Sequence, residues 1–297
     1  MTSATPLSWL VTGARGQLGH DLLEVLAGRD GDQVTAVGRA EVDLTDEAAV
    51  RATVRDWLAA SAGRRAVLVN AAAYTAVDDA ETDEGTALVV NGSAPRWLAE
   101  ELSGRGRLVH VSTDYVFDGS ATEPYPVDAP VAPRSAYGRT KAAGEQAIAA
   151  VGGDATVVRT AWVYGRHGGN FVRTMTKLEA QRETVSVVDD QVGSPTWSAD
   201  LAAGLVELGA REEPSPPVLH YTNSGQVSWF GLARAVFEEL GADPARVLPT
   251  TTDAFPRPAP RPAYSVLDGS AWTGAGLTPA PPWRESLHTA MQEGFRD

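Results

Sequence analysis

The chain has 297 residues, 43% of them apolar, with 25 basic and 38 acidic side chains and a formal charge of −13. That is core material for one large domain or two modest ones, and the negative balance gives little support to nucleic-acid binding. Cysteine is absent, which excludes disulfides, thiol nucleophiles and cysteine metal sites.

No apolar run reaches the roughly 18 residues of a membrane span. The opening Met1-Thr2-Ser3-Ala4-Thr5-Pro6 lacks the basic-then-apolar pattern of a secretion signal. A cytoplasmic protein is the expectation. Leu7 to Val11 reads as a first strand, followed by Thr12-Gly13-Ala14-Arg15-Gly16-Gln17-Leu18-Gly19. Leu18, Leu22, Leu23 and Leu26 then recur at helical spacing. Three glycines can be an ordinary glycine-rich turn, but their place between the first strand and the first helix suits a dinucleotide cradle. Gly13 permits the turn, Gly16 lets backbone approach a phosphate, and the helix N-terminus offers free N–H groups.

Gln33 to Val37 is the second strand. An NAD-specific site carries an acid at its end, whereas this chain reads Gly38-Arg39, so Arg39 is a candidate for a 2′-phosphate or else a solvated arginine. Asp43-Leu44 follows at the expected adenine edge. Glu47 to Leu58 is helical in pattern. Ala66 to Val69 is the third strand, leading into Asn70-Ala71-Ala72-Ala73-Tyr74, where small residues would let the chain lie close to a cofactor or simply pack tightly. Helical pattern covers Asp78 to Asn91 and Ala94 to Leu102, with a break at Gly92-Ser93.

Arg107 to Val111 is the fourth strand and Ser112-Thr113-Asp114 leaves its carboxyl end. Ser135 caps a helix over Ala136 to Ala150, and Thr156 to Arg159 is the fifth strand. Strand and helix alternate over residues 1–160, which predicts an α/β, Rossmann-like, doubly wound parallel sheet. Residues 161–297 carry shorter elements: helices at Phe171 to Leu178, Ser198 to Leu208, Ser228 to Leu240 and Arg284 to Phe295, and strands at Thr184 to Val188 and Val218 to Tyr221. They read as a smaller C-terminal substrate-binding lobe, some of whose elements return to the sheet.

Tyr137 and Lys141 lie one helical turn apart, so both can point into one cleft. Thr113 sits at a strand's carboxyl end, where open α/β sheets bind ligands. Together they suit carbonyl reduction beside a nicotinamide. A free phenol has a pKa of about 10; Lys141 would stabilise its phenolate, and Thr113 would hold the substrate oxygen. Ser112 is a competing hydroxyl, and Asp114 either binds a substrate hydroxyl or closes its loop. Arg173, Lys177, Arg257 and Arg261 are candidate donors to an anionic diphosphate or solvated charges. Trp162 offers a face to a sugar ring or belongs to a core.

These motifs, together with Asn70-Ala71-Ala72-Ala73-Tyr74-Thr75-Ala76-Val77-Asp78, Arg159-Thr160-Ala161-Trp162-Val163-Tyr164 and Asp190-Gln191-Val192-Gly193-Ser194-Pro195-Thr196, resemble the dTDP-4-dehydrorhamnose reductase family over nearly the whole chain. That family belongs to the extended short-chain dehydrogenase/reductase superfamily. The resemblance implies Tyr137 as catalytic acid, Lys141 as its partner and Thr113 as transition-state stabiliser. It also implies cofactor contacts from Gly16, Gln17, Leu18, Asp43, Leu44, Ala71, Ala72, Ala73, Tyr137 and Lys141, and sugar contacts from Thr113, Asp114 and Trp162. The implied reaction reduces dTDP-4-dehydro-β-L-rhamnose, a dTDP-4-keto-6-deoxyhexose, with NADPH or NADH. Some members bind Mg²⁺ at a homodimer interface, for which no clear set of acids stands out in this sequence.

A related 4-ketoreductase could serve an antibiotic deoxysugar such as a streptose precursor. A dehydratase would need an Asp-Glu pair beside the threonine, and the chain has Asp114-Tyr115. A non-catalytic Rossmann-fold regulatory subunit would keep the fold, yet both tyrosine and lysine are retained.

Overall fold

The computed structural model describes residues 6–295; residues 1–5, on which the expectation about a secretion signal falls, lie outside it. Its first part alternates β1 (Leu7–Thr12), α1 (Gln17–Ala27), β2 (Gln33–Val37), α2 (Glu47–Ala60), β3 (Arg65–Asn70), α3 (Glu84–Leu88), α4 (Ala94–Leu102), β4 (Gly106–Thr113), α5 (Ala136–Val151) and β5 (Ala155–Thr160). The lobe adds β6 (Val163–Tyr164), α6 (Phe171–Gln181), β7 (Val185–Val188), β8 (Val192–Gly193), β9 (Thr196–Trp197) and α7 (Ser198–Ala210). Then come β10 (Val218–His220), β11 (Val227–Ser228), α8 (Trp229–Glu239), β12 (Val247–Thr250), α9 (Ser270–Gly274) and α10 (Trp283–Gly294).

Six strands form a parallel sheet in the order β10-β5-β4-β3-β1-β2. Every residue of β1 is buried, as expected of a strand covered on both faces. One face packs against α1 and α7 through Trp9, Val11, Leu22, Leu26, Leu201 and Leu205. The other packs against α2, α4 and α5 through Leu10, Val54, Trp57, Leu98 and Ile148. The late strand β10 pairs with β5, and α7 returns to lie on α1, so two elements from beyond residue 160 belong to the sheet layer.

The helical stretch before β4 differs from its sequence reading. The break read at Gly92-Ser93 is a π-turn, Val89–Ser93, that leads directly into α4. The turn keeps the chain helical while shifting its register, which brings Asn91 inside. Beyond the sheet, α6, α8 and α10 gather around Tyr164, Met175, Val236, Phe237, Leu287 and Met291, a second core with its own short strand pairs. No helix of the described residues is long and apolar enough to cross a membrane.

Candidate active site

The sheet's winding reverses at β1, which lies between β3 and β2. The crevice at the carboxyl ends of β1 and β3 is where such sheets take ligands. Gly13 turns the chain there at φ +71°, and a Cβ would sit 2.7 Å from the Ala72 nitrogen, so the turn lies hard against the loop after β3. Gly16 precedes α1 in extended conformation with no side-chain cap. The first N–H groups of α1 are therefore available to an anion.

A cavity of about 970 Å³ runs along this crevice. Gly13, Gly16, Gln17 and Leu18 line one part, Gly38, Arg39, Asp43 and Leu44 the part beyond β2, and Ala71, Ala72 and Ala73 the middle. Thr113, Asp114, Tyr137, Lys141 and Trp162 line the rest. The cofactor, catalytic and sugar-contact residues singled out from sequence thus share one cavity. Beyond β2 the sequence reading missed an acid: Glu41 Oε2 accepts from the Gly38 N–H at 2.7 Å, and Arg15 pairs with Glu41 at 3.3 Å. These partners hold the Glu41 carboxyl below its usual range. The signal was obscured because the acid follows the strand end by four residues and bends back.

Thr113 is the last residue of β4. Its hydroxyl donates to Asp114 Oδ1 at 2.8 Å and accepts from the Tyr115 N–H at 3.2 Å. The Ser135 hydroxyl caps α5 by accepting from the Gly138 N–H at 3.1 Å. A Cβ at Gly138 would collide with the Tyr115 carbonyl oxygen, so glycine lets the helix start settle on the end of β4. That contact brings Tyr137 to Thr113. Burial pushes the Tyr137 phenol up to about 12, and the Thr113 hydroxyl bonded to it pulls the other way. Lys141 is 2% exposed, and its Nζ donates to the Val111 carbonyl at 2.7 Å. Burial draws the ammonium down to about 8, opposed by the charge of Glu145.

Asp114 is buried, which raises its carboxyl to about 6. Its Oδ2 and the Thr160 hydroxyl have no hydrogen-bond partner among the described residues, and both residues line the cavity. Buried polar atoms left open in this way suit a polar ligand. Trp162 adopts φ +49°, a left-handed conformation uncommon outside glycine, and its ring stacks on Trp229 at 3.5 Å between centroids. Phe171 packs against Trp229 in turn, so the indole at the cavity wall is braced from the lobe's core.

The proposed diphosphate donors are placed otherwise. Arg261 pairs with Asp78 at 2.9 Å, Arg257 stands 3.8 Å from the same carboxylate, and Arg173 donates to the Arg166 carbonyl at 2.6 Å. None of these three nor Lys177 lines the cavity. The nearby carboxylate of Asp78, which also accepts the Ala259 N–H at 3.2 Å, claims the late arginines and ties the 257–262 segment down. Sequence reasoning also passed over Asn91 and Glu145. Asn91 clamps both backbone groups of Tyr74 and donates to the Thr140 hydroxyl; Glu145 lies one turn beyond Lys141 and pairs with Arg159 at 2.7 Å. Among the described residues no group of three or more His, Asp or Glu side chains is disposed to hold a metal ion.

Residues 8–295 match the family model described as RmlD substrate binding domain. The chain is 52% identical over 289 residues to a Streptomyces antibioticus protein named probable dTDP-4,6-dihydroxy-2-methyloxan-3-one 4-ketoreductase, covering 97% of this chain and 95% of that one. It is 51% identical over 284 residues to a Streptomyces griseus dTDP-4-dehydrorhamnose reductase, covering 94% and 91%. Among solved structures, that of the Bacillus anthracis dTDP-4-dehydrorhamnose reductase in complex with NADP superposes with a TM-score of 0.90 at 34% identity, covering 97% of this chain and all of that one. With the family model matched over residues 8–295 and relatives about half identical over nearly the whole chain, the chain belongs to the dTDP-4-dehydrorhamnose reductase family.

Proposed function

We propose that this chain reduces the 4-keto group of a dTDP-4-keto-6-deoxyhexose with NADPH or NADH, the expected pair being dTDP-4-dehydro-β-L-rhamnose and dTDP-β-L-rhamnose. The observation that carries the reading is the meeting of Thr113, Tyr137 and Lys141 in the same cavity as the uncapped start of α1. That cavity has room for both a dinucleotide and part of a sugar nucleotide. A reduced nicotinamide bound there supplies hydride to the carbonyl carbon.

Gly13, Gly16, Gln17 and Leu18 would hold its pyrophosphate, with Gly38, Arg39, Asp43 and Leu44 at the adenosine end and Ala71, Ala72 and Ala73 along the middle. The Tyr137 phenol, held protonated by burial, would give its proton to the carbonyl oxygen. The Thr113 hydroxyl has one proton; turning it from Asp114 to the substrate would fix that oxygen. Lys141, when charged, would offset the phenolate left behind. Asp114, with an oxygen to spare, would accept a sugar hydroxyl, and Trp162 would face the deoxy ring.

A second reading, a related 4-ketoreductase for another deoxysugar such as an antibiotic's, is favoured by the likeness to the Streptomyces antibioticus protein, which is named for a 4-keto substrate other than dehydrorhamnose. Incubating the purified protein with candidate dTDP-4-keto-6-deoxyhexoses and each nicotinamide, then assigning product stereochemistry by NMR, separates the two. Tyr137→Phe is expected to lower turnover by about 100-fold with the fold intact. Equal rates for variant and wild type would remove Tyr137 from the chemistry.

A further inference from the structure

Behind Lys141 lies a chain of buried polar side chains that the reduction itself does not use. The Thr12 hydroxyl meets Asn70 Oδ1 at 2.6 Å, Asn70 Nδ2 meets His110 Nδ1 at 2.9 Å, and His110 Nε2 meets Lys141 Nζ at 3.3 Å. Each strand supplies one link: β1, β3 and β4 in turn, ending on α5. Thr12, Asn70, His110 and Lys141 are all buried, so water does not share these bonds.

The proton positions follow from the partners. The Ala72 backbone N–H points at Asn70 Oδ1 at 3.3 Å, and a backbone N–H can only donate. The Asn70 oxygen therefore faces Ala72 and Thr12, and its amide nitrogen faces His110 as a donor. His110 Nδ1 must then accept. Burial, reinforced by the charge of Lys141, holds the imidazole far below its usual pKa, so the ring is neutral. A neutral ring that accepts at Nδ1 carries its one proton on Nε2, which is the atom against Lys141 Nζ. An ammonium there would oppose two donors; an unprotonated amine would accept the Nε2 proton.

Resting on the reading of Lys141 as partner to Tyr137, the geometry points to His110 as a positioning residue whose tautomer, locked by Asn70, favours the neutral amine of Lys141 over its ammonium. The charged group that acts on Lys141 from its own helix is Glu145, itself paired with Arg159 on β5, while Tyr137 and Asp114 line the same cavity as Lys141. His110 thus acts against Glu145, whose charge favours the ammonium. The balance lets Lys141 change protonation close to neutral pH, where the phenol has to recover its proton after each turnover.

The chain has two lysines, Lys141 and Lys177, and five histidines, so isotope labelling resolves the question directly. In wild-type protein carrying ¹⁵N-histidine, His110 is expected with Nε2 protonated and Nδ1 bare; the opposite tautomer overturns the proposal without any mutation. With ¹³Cε-lysine, and Lys177→Arg to assign the signals, His110→Leu is expected to raise the Lys141 pKa by about one unit, a tenfold gain in proton affinity. Asn70→Asp, which would draw the proton to Nδ1 and free Nε2 to accept, is expected to raise it as well. A fall or no change in both variants overturns the proposal, because an imidazole that accepted from the ammonium would leave such a trace when lost. The pH profile of kcat/KM is read on the same samples. A titration that moves while the profile stays put supports the action of His110 on Lys141 and refutes the catalytic reading of Lys141.

Discussion

Replacing Glu145 by glutamine perturbs both the stability of the site and the charge on its lysine. The carboxylate accepts from Arg159 Nε at 3.0 Å, from Arg159 Nη2 at 2.7 Å and from the Ser112 hydroxyl at 2.5 Å. The two charged side chains are 4% and 8% exposed, so solvent gives little screening. Removing one partner of a buried pair costs about 3–5 kcal/mol, chiefly because the other charge is left uncompensated. Glutamine keeps the size and one acceptor oxygen, which puts the expected loss near the lower end, about 3 kcal/mol. That is roughly a 150-fold change in the folded-to-unfolded ratio. With a denaturant slope of about 3 kcal/mol/M, the urea midpoint falls by about 1 M. The same change removes the charge that opposes burial at Lys141, so the lysine drops below its value of about 8. If the alkaline limb of kcat/KM reports loss of the ammonium, that limb moves to lower pH. Urea unfolding and a pH–rate profile on the same preparation test both parts. A midpoint within about 0.3 M of wild type, or a limb that stays put or moves up, refutes the reasoning.

Three further outcomes follow from particular contacts. The folded-state pKa of Lys141 is depressed from 10.5 to about 8. The unfolded chain therefore binds more protons between those values, and stability rises with pH across that window by up to about 3 kcal/mol. Lys141→Met should flatten that rise in denaturant titrations at pH 8 and pH 10, and an unchanged slope would show that the ammonium is not disfavoured by folding. Asn91→Ala strips partners from the Tyr74 N–H and carbonyl and from the Thr140 hydroxyl. The expected cost is about 2–3 kcal/mol with weaker ligand binding at the cavity wall formed by Tyr74, and a loss under about 0.5 kcal/mol would deny the clamp. Arg39→Ala should weaken NADPH binding about tenfold while changing NADH binding little, read by direct fluorescence titration of each nucleotide; equal losses would take Arg39 away from the 2′-phosphate.

Much of the sheet was legible because its signals are local. Leu7–Thr12 and Arg65–Asn70 are short apolar runs ending where glycine or alanine begins, and a strand buried on both faces has to look like that. The spacing of Tyr137 and Lys141 and the cap at Ser135 likewise lie within a single helix start. The partners of the late arginines were not legible. Asp78 meets Arg261 from 183 positions away, and no periodicity announces that a carboxylate will fold back to claim a guanidinium offered to a diphosphate. The π-turn at Val89–Ser93 was hidden for the opposite reason: helical propensity continues through it, and only the inward turn of Asn91 marks the change of register.

The electrostatics of the site were the least legible part, and the reason is architectural. In a parallel sheet each strand presents one side chain at a given level, so a polar path across the sheet takes single residues from segments far apart in sequence. Thr12, Asn70 and His110 each stand within or at the end of an apolar run, where a lone polar residue is easily taken for the edge of a strand. Glu145 and Arg159 face each other from α5 and β5, and in sequence either passes for an ordinary surface charge. The reacting groups can be read from a helix turn and a strand end, but the protonation of Lys141 depends on His110 on one side and Glu145 on the other. Two members of the family with identical reacting triads can therefore work over different pH ranges if the strand residue three positions before the threonine differs. Exchanging His110 for Gln while leaving Thr113, Tyr137 and Lys141 untouched would separate those two layers, since the triad would be intact and its proton balance altered.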